Sequence, residues 1–147
     1  MHRVFTVPTQ GPGLYEITDA LQHWLRDGPV RNGVLTVFIR HTSASLLIQE
    51  NADPSVRDDL NVFLARLAPR ADDPSMDWIT HRSEGPDDMP AHIRAALLPT
   101  SLQVPVIDRQ MALGQWQGVY VVEHRDRPQR REVIGAICGV EQALLEK

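Results

Sequence analysis

A chain of 147 residues with 42% hydrophobic and 23% charged side chains is too apolar to stay disordered, and it is long enough to bury roughly 70% of its unfolded surface in one core. Fifteen Lys and Arg against nineteen Asp and Glu leave a net charge of −4, with the arginines scattered except near residues 125–131, so no nucleic-acid footprint is expected and any bound anion must be met locally. No apolar run reaches membrane-spanning length and the start Met1-His2-Arg3-Val4-Phe5 lacks the apolar heart of a signal peptide, which makes the cytoplasm the expected compartment, away from membranes.

Residues 3–8 place Val4, Phe5 and Val7 before Pro8 and then Gly11-Pro12-Gly13, which predicts a short strand closed by proline. Ile17, Leu21, Trp24 and Leu25 recur at helical spacing, with Thr18 as candidate N-cap and Gly28-Pro29 as the stop, so a helix is expected over 18–27. Its polar face carries Asp19, Gln22, His23 and Arg26, and His23 reads as merely solvated. Residues 33–40 are rich in β-branched and aromatic side chains and predict a central strand. That strand delivers His41-Thr42-Ser43-Ala44-Ser45 to a kink before residues 46–50 resume strand character, where the hydroxyls and imidazole either serve a site or satisfy backbone groups at the bend.

Asp53 before Pro54 is an N-cap signal, and Val56, Leu60, Phe63, Leu64 and Leu67 form one apolar face, so a second helix is expected over 54–68. Residues 69–88 are polar and proline-interrupted and read as a long loop, part of which packs down through Trp78 and Ile79. Asp88 is the candidate N-cap of a third helix over 89–98, closed by Pro99. His92 would lie in its first turn, where the helix dipole favours a neutral imidazole. Strands are expected near 101–107, 117–124 and 131–138, divided by Asp108-Arg109-Gln110 and Asp126-Arg127-Pro128-Gln129. Cys138 is the only cysteine, which excludes an internal disulfide, and its apolar neighbours predict a buried thiol. This order lacks βαβ alternation and predicts a single α+β domain over 1–147, a largely antiparallel sheet or sandwich with about three helices on one face.

The chemistry concentrates between His81 and His92. Two imidazoles, the carboxylates Glu84, Asp87 and Asp88, one glycine and two prolines share a span without apolar periodicity. Imidazole nitrogen and carboxylate oxygen are divalent-metal ligands and acid–base groups, although Gly85-Pro86 and Met89-Pro90 would equally suit a plain surface loop. Arg130 and Arg131 have the fork geometry to clamp a phosphate, or stand solvated beside a hairpin turn. Gly114 beside Trp116 lets backbone approach a ligand, or makes a tight turn next to a core tryptophan. No phosphate loop, dinucleotide fingerprint or zinc-finger spacing is present.

The segments His41-Thr42-Ser43-Ala44-Ser45-Leu46, Asn51-Ala52-Asp53-Pro54, Glu84-Gly85-Pro86-Asp87-Asp88-Met89-Pro90-Ala91-His92, Gly114-Gln115-Trp116-Gln117-Gly118 and Glu123-His124-Arg125, in that order, resemble the YjbQ family over nearly the whole chain. The resemblance implies α+β homotrimers, some with a secondary, weak thiamine-phosphate synthase activity. It implies that His41, His81 and His92 converge with acidic residues, Asp88 among them, in a cleft at a subunit boundary that binds an anion or a divalent metal ion, Mg or Zn. The usual member has Asn-Ala-Pro-Ala-His where this chain has Asp88-Met89-Pro90-Ala91-His92, so Asp88 matches in place but not in chemistry.

The implied reaction joins hydroxymethylpyrimidine diphosphate to thiazole phosphate with release of pyrophosphate. Metal ligation would fall to His41, His81 and His92, and anion contact to Arg130, Arg131, Ser43 and Ser45. Trp116 would stack on the pyrimidine, with Gln117 beside it in the substrate site. The expected partners are a small phosphorylated substrate and further copies of the chain in a homotrimer. A metal- or anion-binding homo-oligomer without a dedicated reaction would use the same cleft, and a purely structural oligomerisation module would use none of it.

Overall fold

The computed structural model describes residues 1–141, in which strands β1 (His2–Gln10), β2 (Gly13–Glu16), β3 (Val30–Ile39), β4 (Ala44–Glu50), β5 (Ser101–Ile107), β6 (Gln110–Met111), β7 (Gln117–Glu123) and β8 (Pro128–Glu141) alternate with helices α1 (Thr18–Asp27), α2 (Pro54–Leu67) and α3 (Asp88–Leu97). All strand pairings are antiparallel, in a five-stranded sheet of order β1-β8-β3-β5-β6 and a three-stranded sheet of order β2-β7-β4. The α+β class expected from the element order therefore holds.

In β3 the period of two decides the packing: Leu35, Val37 and Ile39 are buried while Val34 and Phe38, in the alternate register, face outward. The inward row joins Val104, Val106, Val133 and Ile137 of the same sheet, Ala44, Leu46, Val119 and Val121 of the smaller sheet, and Leu21, Trp24 and Leu25 of α1, in one apolar cluster. The two sheets thus share a sandwich core. Helix α2 lies against β2 and α3 against β4, leaving the outer face of the larger sheet open. No helix among the described residues is long and apolar enough to cross a membrane.

Several local expectations change. Strand β1 runs through Pro8 to Gln10 because β1 pairs on one side only, with β8, so the missing proline N–H breaks no ladder on its free edge. Strand β2 was hidden by the Gly11-Pro12-Gly13 punctuation; Gly11 takes φ 97° and turns the chain back onto β7. Thr18 is not the cap of α1. Ile17 holds that position, while Thr18 Oγ1 donates to Glu16 Oε2 at 2.8 Å and accepts the Val119 N–H at 2.9 Å, tying the helix to β7.

Asp53 does cap α2, accepting the Ser55 N–H at 2.9 Å. Of the apolar face of α2, however, only Leu64 is buried, and Phe63 is 57% exposed. In the loop that follows, Ile79 packs with Ala71 and Met76 in a satellite core, but Trp78 stays 63% exposed. Asp88 is the first residue of α3 and Asp87 holds the cap position, without a side-chain cap bond. Cys138 is exposed, because Ile137 takes the inward register and turns its neighbour to the open face beside Val34.

Candidate metal centre

Two devices place the span His81–His92. Arg82 donates to the carbonyl oxygens of Ile79, Ala71 and Met76 at 3.2, 2.8 and 2.9 Å, pinning the loop to its satellite core. Gly85, at φ 102°, then reverses the chain so that Glu84 faces the start of α3. On α3, Asp88 and His92 stand one turn apart on the same face. One ligand atom each from His81, Glu84, Asp88 and His92 falls within 4.8 Å of the others.

Asp88 is the hub. Its side chain is only 3% exposed, and Oδ2 lies 2.6 Å from His81 Nε2 and 3.2 Å from His92 Nε2. Glu84 Oε2 is 3.4 Å from His81 Nε2 on the solvent side. Arg125 closes the other flank, donating from Nη1 to Asp88 Oδ1 at 2.5 Å, from Nε to Asp87 Oδ2 at 2.9 Å and from Nη2 to the Glu84 carbonyl at 3.1 Å. Burial opposes the charge on Asp88, but bonds to His81 and Glu84 and the charge of Arg125 outweigh it and hold the carboxyl below its usual range. Asp87 is lowered likewise, burial being overcome by the Asp126 N–H and by Arg125.

His92 Nδ1 lies 3.2 Å from the Thr42 carbonyl oxygen, which can only accept, so a proton sits on Nδ1 and Nε2 is the nitrogen turned towards Asp88. A backbone carbonyl that fixes the tautomer of an imidazole in this way is the usual outer support of a metal-ligating histidine. The Nε2 atoms of His81 and His92 and the carboxylates of Glu84 and Asp88 together offer two nitrogen and two oxygen donors, a set whose chemistry fits a divalent metal ion.

Of the other expected site residues, His41 does not join this group. Its Nε2 accepts the Glu132 N–H at 2.8 Å, and burial together with the charge of Arg131 lowers its pKa. Arg131 is buried against Glu123, donating at 2.9 and 2.6 Å, and spends a further N–H on Ser43 Oγ at 2.9 Å. Burial disfavours the Glu123 carboxylate, yet Arg131 and the Thr9 hydroxyl keep its pKa low. Ser45 is fully buried with Oγ 2.9 Å from His124 Nε2. Arg130 is exposed. Trp116 is exposed in the turn before β7, and Gln117 opens that strand with its Oε1 accepting the Gly114 N–H at 2.8 Å. Both stand at the end of β7 opposite Glu123, about 20 Å along the strand.

Sequence reasoning did not assign Arg82 and Arg125 to the site, although Arg125 stood in the quoted Glu123-His124-Arg125 motif. A cavity of ≈ 470 Å³ adjoins the cluster, lined by Arg70, Glu84, Arg125 and Arg127 among others, and a second of ≈ 470 Å³ opens over His41, Thr42 and Ser43.

Residues 3–140 match the family described as UPF0047 protein YjbQ-like. A UPF0047 protein of Synechocystis is 47% identical over 92% of this chain and 90% of its own length, and the UPF0047 protein YjbQ of Escherichia coli O157:H7 is 38% identical over 93% and 96%. Among solved structures, a yjbq/upf0047 family protein of Clostridium acetobutylicum superposes with TM-score 0.81 at 31% identity, covering 92% of this chain and 99% of that one. A hypothetical protein of Aeropyrum pernix K1 superposes with TM-score 0.84 at 26% identity over 95% and 99%. The chain with this histidine and carboxylate cluster at the head of α3 belongs to the YjbQ-like UPF0047 family.

Proposed function

We propose that His81, Glu84, Asp88 and His92 hold a divalent cation, and that the chain uses the site for a slow thiamine-phosphate synthase-like transfer between hydroxymethylpyrimidine diphosphate and thiazole phosphate. The observation that carries the metal half is the convergence of the His81 and His92 Nε2 atoms on Asp88 Oδ2, with His92 Nδ1 committed to the Thr42 carbonyl. Two nitrogens with two carboxylates suit zinc better than magnesium, whose shell is mostly oxygen. The transfer itself rests on the family resemblance.

A bound divalent cation would supply charge stabilisation for a departing diphosphate. The chain's own residues divide the remaining work. Arg125 fixes Asp88 from behind, so that Oδ2 stays turned to the histidines. Arg127, exposed and unpaired among the described residues, lines the adjoining ≈ 470 Å³ cavity with Arg70 and Arg125, where a phosphate group would be met. Arg131 is removed from the anion contacts first assigned to it, because its guanidinium is committed to Glu123. That commitment favours a second reading, a metal- or anion-binding oligomer with no dedicated reaction.

Elemental analysis of untagged protein is the test of the metal, with wild type expected to carry a divalent metal ion that His81→Ala and His92→Ala lose. Equal content in all three, or none in any, removes the proposal. A steady-state assay with both substrates then separates the readings: the transfer requires turnover above a metal-only control that collapses in the histidine variants, and its absence with metal retained leaves the binding protein.

We further propose that subunits meet as a homotrimer through the open face of the larger sheet, where Val4, Ile134 and Phe38 are register partners on neighbouring strands and form an apolar row. This contact would leave the 81–92 span accessible to substrate.

A further inference from the structure

Asp87, Pro90 and Arg94 recur at helical spacing on the side of α3 roughly opposite to Asp88 and His92. There they line a cavity of ≈ 300 Å³ with Ala65 of α2, Arg70 and Asp126, a volume at the lower end of the range of about 300–1,000 Å³ typical of small-molecule sites. The walls mix aliphatic surface with charge.

Arg94 is the anomaly. It is 8% exposed, yet of its five N–H donors only one, on Nη2, finds an acceptor among the described residues, the His124 carbonyl oxygen at 3.1 Å. Nε is buried with no partner. A guanidinium cannot escape the penalty by losing its proton, so burial this deep with so few acceptors is unfavourable unless a ligand supplies them. No carboxylate of the lining bonds it, although the charges of Asp126 and Asp87 act on it from a distance. Asp126 is engaged by Arg70, and Asp87 by Arg125 at 2.9 Å. Among the described residues Arg94 is therefore a buried cation with no carboxylate bonded to it.

We infer that this cavity binds a small organic carboxylate, its oxygens taking the unused Nη N–H donors of Arg94 and its short aliphatic body lying against Ala65 and Pro90. One unpaired cation matches one negative charge, and the planar fork of a guanidinium matches a planar carboxylate. A phosphate dianion would bring a second charge towards Asp87 and Asp126 and is disfavoured on that ground. Burial pulls the pKa of Arg94 down, with Asp126 and Asp87 pulling it back, and a bound anion would add to their effect. This cavity shares Arg70, Asp87 and Asp126 with the one beside the metal cluster, but Arg94 lines this cavity alone and the inference does not need the metal.

Isothermal titration of the full chain with sodium propionate, against a matched sodium chloride control, tests the inference. Saturable binding is expected with a Kd of about 1 mM or tighter. Ala65 is an exposed helix position that also lines the cavity, so Ala65→Phe should fill the space without disturbing the core and weaken binding at least about tenfold, roughly 1.4 kcal/mol. Arg94→Lys keeps the charge but loses the fork and should weaken it as well; Ala65→Phe decides the matter should the lysine variant not fold. No saturable binding to wild type, or propionate bound equally by Ala65→Phe, overturns the proposal. Saturable binding of inorganic phosphate in place of propionate overturns the assigned ligand class.

Discussion

Asp88 faces three cations or cation-binding groups at once, and only Arg125 reaches it from the side away from the histidines. Replacing Arg125 by methionine should leave the four ligands present but free to turn, and weaken metal affinity about 10–100-fold, as losses in an outer shell commonly do. Competition with a chelator measures this. A second residue-scale consequence comes from His124, whose pKa burial pushes from 6.5 to about 3, with Arg94 adding to the shift. The unfolded chain takes up a proton below pH 6.5 and the folded chain does not until about pH 3, so stability is complete above 6.5 and falls as the pH drops through that window. The full loss is on the order of 5 kcal/mol, and urea unfolding at pH 7 and pH 4.5 should differ less in His124→Gln than in wild type. That His81, Asp88 and His92 lie near one another was legible in the sequence because their spacing is local. The surroundings of His41 and Arg131 were not legible, because their partners, the Glu132 N–H and the Glu123 carboxylate, are set by strand pairing across the chain.

At the scale of the elements, β3 and β8 approach so closely that side chains are excluded where they cross. A Cβ on Gly33 would stand 2.2 Å from the Cys138 carbonyl oxygen, and one on Gly139 would stand 2.0 Å from the Asn32 carbonyl oxygen. Both obstacles are backbone, which cannot swing aside, so Gly33→Ala should cost about 1–3 kcal/mol or more, read as a lower denaturation midpoint. The bulge between Val30 and Asn32 sits beside this crossing. Alternation was enough to find β3, and periodicity with an Asp-Pro cap was enough to find α2, since both signals are local. Burial was not legible in the same way. The apolar face of α2 exists in the sequence, but periodicity reports that a face is apolar and not what covers it, and in one chain Phe63 and Leu67 are left largely uncovered.

At the scale of the molecule the same reasoning applies to the larger sheet, whose outer face carries Val4, Val34 and Phe38, each more than two-fifths exposed. Homotrimers held through that face should be broken by a charge at its centre. Sedimentation of wild type is expected to give three copies across micromolar concentrations, and Phe38→Asp a folded monomer; a wild-type monomer, or a trimer in both, would move the contact elsewhere. The α+β class followed from the order of elements, whereas the division into two sheets, with β8 inserted between β1 and β3, depends on contacts far apart in sequence and had no local signature.

Strand β1 is a border of that larger sheet, nine residues long, and among the described residues its backbone on the outer side has no strand beside it. A border of this length would template the addition of any extended segment, including β1 of another molecule, and so begin a ribbon with no natural end. Pro8 removes a donor from that border at one point near its far end, and Arg3 adds a charge near the other. The proline expected to end the strand instead lets it continue, while making its outer side a poor surface for a further strand to zip onto. An assembly closed through the sheet's face would then not be prolonged along its edge, because growth there is obstructed by the same residue that the hydrogen-bond ladder to β8 does not need.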